Sequence, residues 1–151
     1  MLDISKIKGI IFDYGGTIDS NGKHWAEVLW DAYVDNGVPV SKEQFREAYV
    51  YAERYLATHA VIEPEDNFFD LLTKKVDLQI DFLVDKLFLP AKGKTKGYGL
   101  AISTQCYTFV KSLISKEKSL LDELKNRYPM VLVSNFYGNV QSVLSDFGLL
   151  D

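Results

Sequence analysis

Asp13 is the residue whose type and position most clearly allow chemistry. It follows the apolar run Ile7 to Phe12 and precedes Tyr14, two glycines and Thr17. A carboxylate at the carboxyl end of a buried strand lies where the ligands of open α/β sheets bind. The glycines permit a close backbone approach to a ligand, and such an aspartate can attack an electrophilic phosphorus. The segment therefore predicts a nucleophile, and a simple turn capped by Asp13 is the alternative interpretation.

A second apolar run, Met130 to Val133, ends in the polar pair Ser134 and Asn135. A hydroxyl at the end of a strand can hold an anion, and it can equally cap the helix that follows. The sequence around Ser134 alone favours neither role. A phosphate-binding role for Ser134 depends on its pairing with Asp13.

The elements that must position these residues follow from apolar periodicity. The β-branched run before Asp13 predicts a strand buried on both faces. Amphipathic helices are predicted over 116–128 and from Val140 to Phe147, the second ending at Gly148. The order strand, helix, strand, helix is typical of an α/β fold with a parallel sheet.

The stretch between the two strands is patterned as helix. One helical face begins at Trp25, and Ser41 with Gln44 forms a capping box that opens a helix to about His59. A third helix is predicted from Pro64 to Leu87 and a fourth over 100–115. The lysine- and glycine-rich segment 92–99 is predicted to be a mobile loop. A helical insertion between two strands is the expected organisation.

Composition limits the classes of partner. The chain has 151 residues, is 47% hydrophobic and 25% charged, and carries a net charge of −4. This charge argues against a dedicated nucleic-acid binder, which needs a positive face. Cys106 is the single cysteine and cannot form an internal disulfide, so a reducing compartment is favoured. With neither a leader pattern nor a long apolar run, we expect a cytoplasmic protein without a membrane partner.

The segment IIFDYGGTI resembles the first motif of the haloacid dehalogenase (HAD) superfamily, and the strand ending at Ser134 resembles the second. The helical insertion is similar to the C1 cap of that superfamily. The resemblance implies an α/β fold with a HAD-like Rossmannoid parallel sheet, incomplete here, and an all-helical cap after the first strand. The core would comprise residues 1–20 and 110–151, and the cap residues 21–109.

The resemblance also implies roles for single residues. Asp13 would be the nucleophile and a Mg²⁺ ligand, and the carbonyl of Gly15 a second ligand. The implied phosphate-binding residues are Gly16, Thr17, Ser134 and Asn135. The implied activity is hydrolysis of a small phosphorylated metabolite through an aspartyl-phosphate intermediate.

Gly15 departs from the pattern of the family's phosphatases, which place a general acid and base at this position. Related phosphonoacetaldehyde hydrolases lack that acid and use a cap lysine as a Schiff-base former, so a C–P hydrolase is an alternative. No cap lysine stands out from the sequence among Lys42, Lys74, Lys75, Lys92, Lys94 and Lys96. Asp19 is expected to be a turn residue, and His24 a structural or exposed histidine.

The family's third and fourth motifs, a lysine and further acids, are expected to follow position 151. We therefore expect the chain alone to lack phosphatase turnover and to self-associate through an unpaired sheet edge. A non-catalytic relative that binds a ligand or partner is a further alternative.

Overall fold

Helices make up most of the described chain, which comprises residues 4–95 and 97–150 of the computed structural model. Residues 1–3, Lys96 and Asp151 lie outside the described residues, as do the side chains of Lys92 and Lys94. The expectations for Lys92, Lys94 and Lys96 as cap lysines therefore fall outside the described part of the chain. The strands and helices, in chain order, are β1 (Ile10–Phe12), α1 (Trp25–Asp35), α2 (Lys42–Thr58), α3 (Phe68–Asp85), α4 (Lys92–Thr95), α5 (Tyr98–Lys125), β2 (Met130–Leu132) and α6 (Val140–Asp146).

The two strands form a parallel pair, as predicted. Ile11 of β1 is opposite Val131 of β2, and Phe12 is opposite Leu132. The amide of Val133 extends the ladder by donating to the carbonyl of Phe12 at 2.8 Å. Within the described residues the sheet has these two strands only, so the chain is compatible with a general α/β class while being mostly helical.

The prediction that the first strand is buried on both faces is wrong. Ile11 is 75% exposed, and its neighbours on the same face, Val131 and Val133, are 56% and 63% exposed. Phe12 and Leu132 point the other way and pack against the hydrophobic core. Successive side chains of a strand face opposite sides, and the described helices cover only one of them.

Capping residues set where the helices of the insertion begin. The predicted capping box is confirmed, since the Ser41 hydroxyl accepts from the amide of Gln44 and the Gln44 side chain accepts from the amide of Ser41. The predicted start of α3 at Pro64 is wrong. A second capping box, formed by Asn67 and Asp70, places its first residue at Phe68.

The longest helix, α5, replaces two predicted helices. Residues 98–125 are continuous because no glycine or proline interrupts them after Gly99 and because Ile102, Cys106, Val110 and Ile114 form one buried stripe. The predicted loop over 92–99 contains the short helix α4 and the start of α5. The predicted domain boundary after residue 109 lies inside this helix.

The core sits around α3, which packs against both α2 and α5. One continuous cluster of buried side chains joins Tyr14 from the turn after β1, Val76 of α3, Ile102 of α5 and Val143 of α6. The strand ends are thereby fixed against the helical segment. None of the helices in the described ranges is long and apolar enough to cross a membrane.

Candidate functional site

Asp13 and Ser134 meet at the edge of the sheet where both strands end. The hydroxyl of Ser134 donates to Oδ1 of Asp13 at 3.0 Å. Parallel pairing of β1 and β2 brings their carboxyl ends together, so two residues far apart in sequence become neighbours. Asp13 is exposed, which leaves its carboxylate accessible to a ligand. The two predicted residues thus form a carboxylate-and-hydroxyl pair.

The turn after Asp13 is built on two glycines with different backbone requirements. Gly16 has φ 81°, a left-handed conformation that glycine adopts without steric cost, whereas Gly15 has φ −68°. A Cβ at Gly15 would meet no other atom within 4 Å. The position that lacks the expected acid therefore has room for a side chain.

Tyr14 anchors this turn in the core. Its ring is fully buried and makes edge-to-face contacts with Phe68 of α3 and Phe136 of the loop after β2. Burial, followed by the negative charges of Asp19 and Asp146, raises the pKa of the Tyr14 hydroxyl above its ordinary value. The aromatic contacts fix the backbone that carries Asp13 and the two glycines.

Asp19, which the sequence predicts to be a turn residue, is buried and holds the turn in place through two hydrogen bonds. Its Oδ1 accepts from the amide of Gly16 at 2.7 Å, and its Oδ2 accepts from Nε1 of Trp25 at 2.7 Å. Burial raises the pKa of Asp19 to about 6, although the bonds from Trp25 and Gly16 oppose the rise. The Gly16 amide, predicted to face a phosphate, is thus bonded to Asp19 in this structure.

The remaining predicted site residues lie near the pair without contributing a hydrogen bond to it. Thr17 is exposed on the turn, and Asn135 is exposed beside Ser134. Asn135, Gly15 and Gly16 are among the residues that line a cavity between the strand ends and the helices.

This cavity, of about 220 Å³, extends from the turn into the helical segment. Its walls come from α1, α2, α3 and the loop after β2. They include His24, Trp25, Tyr49, Glu53, Phe68, Leu71, Leu72, Lys75, Phe136 and Tyr137. His24 also caps α1, where its Nδ1 accepts from the amide of Ala26. Any ligand that fills the cavity would touch both the candidate site and the insertion.

A closed triangle of polar groups lies in the wall of the cavity. Lys75 Nζ lies 2.8 Å from Glu53 Oε1 and 2.8 Å from the Tyr137 hydroxyl, which in turn donates to Glu53 Oε2 at 2.6 Å. The Lys75 side chain is only 7% exposed. Burial, followed by the charge of Glu53, raises the pKa of Tyr137.

The sequence alone does not predict this triangle, although it contains one signal for Lys75. Lys75 falls on the same helical face as Leu71, Leu72 and Val76, all of which are buried. A lysine on an apolar stripe is rarely buried without a partner. Its partners, however, lie on other elements and could not be identified from spacing.

The donor set at the strand ends suits a hard cation only in part. Asp13 and the carbonyl of Gly15 supply oxygen atoms, which Mg²⁺ prefers, and magnesium commonly takes few protein ligands besides water and phosphate. Among the described residues no group of three or more histidine, cysteine, aspartate or glutamate side chains could hold a metal. A magnesium ion here would depend on a bound phosphate for much of its coordination.

No protein-family model, curated protein or solved structure matches this chain.

Proposed function

We propose that this chain carries the phosphoryl-transfer site of a HAD-type hydrolase that acts on a small phosphorylated metabolite. The observation that supports it most strongly is the 3.0 Å hydrogen bond from Ser134 to Asp13 at the carboxyl ends of two parallel strands. The proposal includes the finer fold assignment, in which β1 and β2 belong to a Rossmannoid core and residues 21–109 form its cap.

In the proposed reaction a carboxylate oxygen of Asp13 attacks phosphorus, and the bond from phosphorus to the leaving-group oxygen breaks. Water then attacks the aspartyl-phosphate, which releases inorganic phosphate and restores the carboxylate. Ser134 orients Asp13 before the attack and donates to the phosphoryl oxygens afterwards. Thr17 and Asn135 would add donors, and the Gly16 amide would join them by exchanging Asp19 for phosphate.

Gly15 limits the rate of this reaction. Glycine cannot move a proton, and general acid–base help is typically worth about 10²–10⁴-fold in rate. The family's lysine and further acids also have no counterpart within residues 1–151. We therefore assign phosphoryl transfer to Asp13 as the step these residues support, and we expect turnover of ordinary phosphomonoesters to be slow.

Asp13 and the Gly15 carbonyl would hold Mg²⁺ together with the phosphate. The bound ion would neutralise phosphate charge. The carboxylate of Asp13 would then serve both as ligand and as nucleophile, through different oxygens.

The C–P hydrolase alternative is less well supported. A lysine that attacks a carbonyl must be neutral, whereas buried Lys75 contacts Glu53 at 2.8 Å as an ion pair. The other cap lysines whose side chains are described do not line the cavity. We therefore do not extend the proposal to a Schiff-base mechanism.

Acetyl phosphate provides the direct test, because its good leaving group needs no general acid. With magnesium present, the wild-type protein should acquire a phosphoryl group at Asp13, detected by mass spectrometry after rapid acid quench. Asp13→Asn should acquire none, and Ser134→Ala should react more slowly. Asp31→Asn, which changes an exposed carboxylate paired with Lys23, is the matched control. Equal labelling of wild type and Asp13→Asn would favour the non-catalytic alternative.

A further inference from the structure

The cavity beside the turn has a polar wall that the proposed phosphoryl transfer does not use. Lys75, Glu53 and Tyr137 come from α3, α2 and the loop after β2, and each contacts the other two. Asp13 and Ser134 do not line this cavity, whereas Gly15, Gly16 and Asn135 do. A ligand in the cavity would therefore lie next to the phosphoryl site and would not occupy it.

We expect the triangle to add little to the free energy of unfolding, although it buries a charged side chain. A buried ion pair loses the solvation of both charges, and well-packed apolar residues often replace such pairs without loss of stability. Lys75 donates one hydrogen bond, to the Tyr137 hydroxyl, whereas its 2.8 Å contact with Glu53 Oε1 is an ion pair, and an ammonium has three N–H donors. Among the described residues Glu53 Oε1 is buried without a hydrogen-bond partner, so this oxygen and a remaining N–H donor of Lys75 are the groups that a ligand can use.

The charge balance of the triangle selects the kind of ligand. A ligand with one net charge would compete for either Lys75 or Glu53 and leave the other charge without its partner. A hydroxyl group can accept from Lys75 and donate to Glu53 at the same time, so the ion pair stays intact. The apolar faces of Trp25, Phe68 and Phe136, which line the same cavity, suit the carbon skeleton of such a ligand.

The volume of the cavity suits a small ligand. At about 30 Å³ for each water of liquid density, a cavity of about 220 Å³ corresponds to roughly seven water-sized groups. The skeleton and hydroxyls of a polyol of about three or four carbons occupy a comparable space. The phosphate would remain outside the cavity, at Asp13.

We propose that this cavity binds the organic part of the substrate and that this part is a small, neutral polyol, held by Lys75, Glu53 and Tyr137. The identification of the polyol as part of a phosphorylated substrate rests on the function proposed above. Binding of the polyol itself does not, because the cavity residues do not include Asp13.

Erythritol is the probe, and its binding is measured by NMR titration. Wild type should bind erythritol, and two variants should bind it at least about tenfold more weakly. Glu53→Gln/Lys75→Met removes both charged partners of the ligand, and Tyr137→Phe removes the hydroxyl that holds these two partners in position. Lys74→Met is the matched control, because Lys74 lies on the same helix and is ion-paired with Asp66 but does not line the cavity. It should bind erythritol as wild type does.

Three results would overturn the polyol proposal: no erythritol binding by wild type, unchanged binding by the triangle variants, or preferential binding of the zwitterion L-serine. If the double variant fails to fold, Tyr137→Phe decides the matter, because it removes one hydroxyl only. Asp13→Asn should retain erythritol binding. A wild-type protein that binds erythritol but acquires no phosphoryl group from acetyl phosphate would refute the hydrolase proposal and leave the polyol subsite standing.

Discussion

Ser134 and Asp13 are separated by 121 positions in the chain, yet the Ser134 hydroxyl donates to the Asp13 carboxylate at 3.0 Å. The contact exists because β1 and β2 pair in parallel with Phe12 opposite Leu132, so that the next residues of both strands emerge at one edge. The Tyr14 ring and the Asp19 carboxylate hold the turn behind this pair.

Gly15 is the position at which an acid can be added. Gly15→Asp should raise magnesium-dependent phosphomonoesterase activity, with a ceiling of about 10²–10⁴-fold, because it supplies the missing proton donor. The backbone at φ −68° and the absence of atoms within 4 Å of a Cβ allow the side chain. Gly15→Asn, which has the same size and no titrating proton, is the control for initial-rate assays with an aryl phosphate. Equal rates for the two variants would show that another group handles the proton.

The two glycines of the turn should differ in their tolerance of alanine. Gly16→Ala should lower the free energy of unfolding by about 1–2 kcal/mol, because a Cβ is unfavourable at φ 81°. Gly15→Ala should be neutral or slightly stabilising at φ −68°, since it restricts the unfolded chain. Urea denaturation of both variants measures the difference. Equal losses would mean that the turn is not held in the conformation described.

Much of the candidate site could be predicted from sequence because its signals are local. A carboxylate after an apolar run, followed by glycines, identified Asp13, and a second run ending in a hydroxyl identified Ser134. The parallel pairing of these runs followed from the alternation of strands and helices. The capping box at Ser41 was likewise readable, because its two partners lie three residues apart.

The features that escaped prediction depend on tertiary contacts. Glu53, Lys75 and Tyr137 meet only after three separate elements pack together. Whether Ile11 is buried depends on which helices pack over its face of the sheet. An apolar side chain in the sequence does not indicate which helices these are. The sequence predicts separate helices over 100–115 and 116–128, but charged residues with good helix propensity continue α5 to Lys125.

Asp19 should make stability depend on pH. Its pKa rises from 3.8 in the unfolded reference to about 6 in the folded protein, so the folded state binds the proton more tightly. The contribution of Asp19 to the free energy of unfolding is present below pH 4. About 3 kcal/mol of it is lost as the pH rises through 6. Asp19→Asn cannot ionise, so its stability relative to wild type should increase by about 2 kcal/mol between pH 4 and pH 7. Denaturation curves at both pH values measure it, and a pH-independent difference would contradict the assignment.

The exposed sheet face should promote self-association. Ile11 and Val131 are cross-strand neighbours, and both are more than half exposed beside Val133. Burying these side chains against a second copy would remove apolar surface from water, so we expect concentration-dependent association in sedimentation velocity. Ile11→Lys/Val131→Lys should shift the protein to monomer. Leu87→Lys, at another exposed apolar position, is the control and should not. A wild-type protein that stays monomeric at all concentrations would refute this prediction.

The central claim, that Asp13 receives a phosphoryl group beside Ser134, is tested most directly by fluorine NMR of the protein with beryllofluoride and excess magnesium. Beryllofluoride mimics a phosphoryl group bonded to a carboxylate. We predict a bound fluorine signal in the wild-type protein that requires magnesium, weakens in Ser134→Ala and is absent from Asp13→Asn. A bound signal of equal intensity in Asp13→Asn, or none in the folded wild-type protein, would contradict the account.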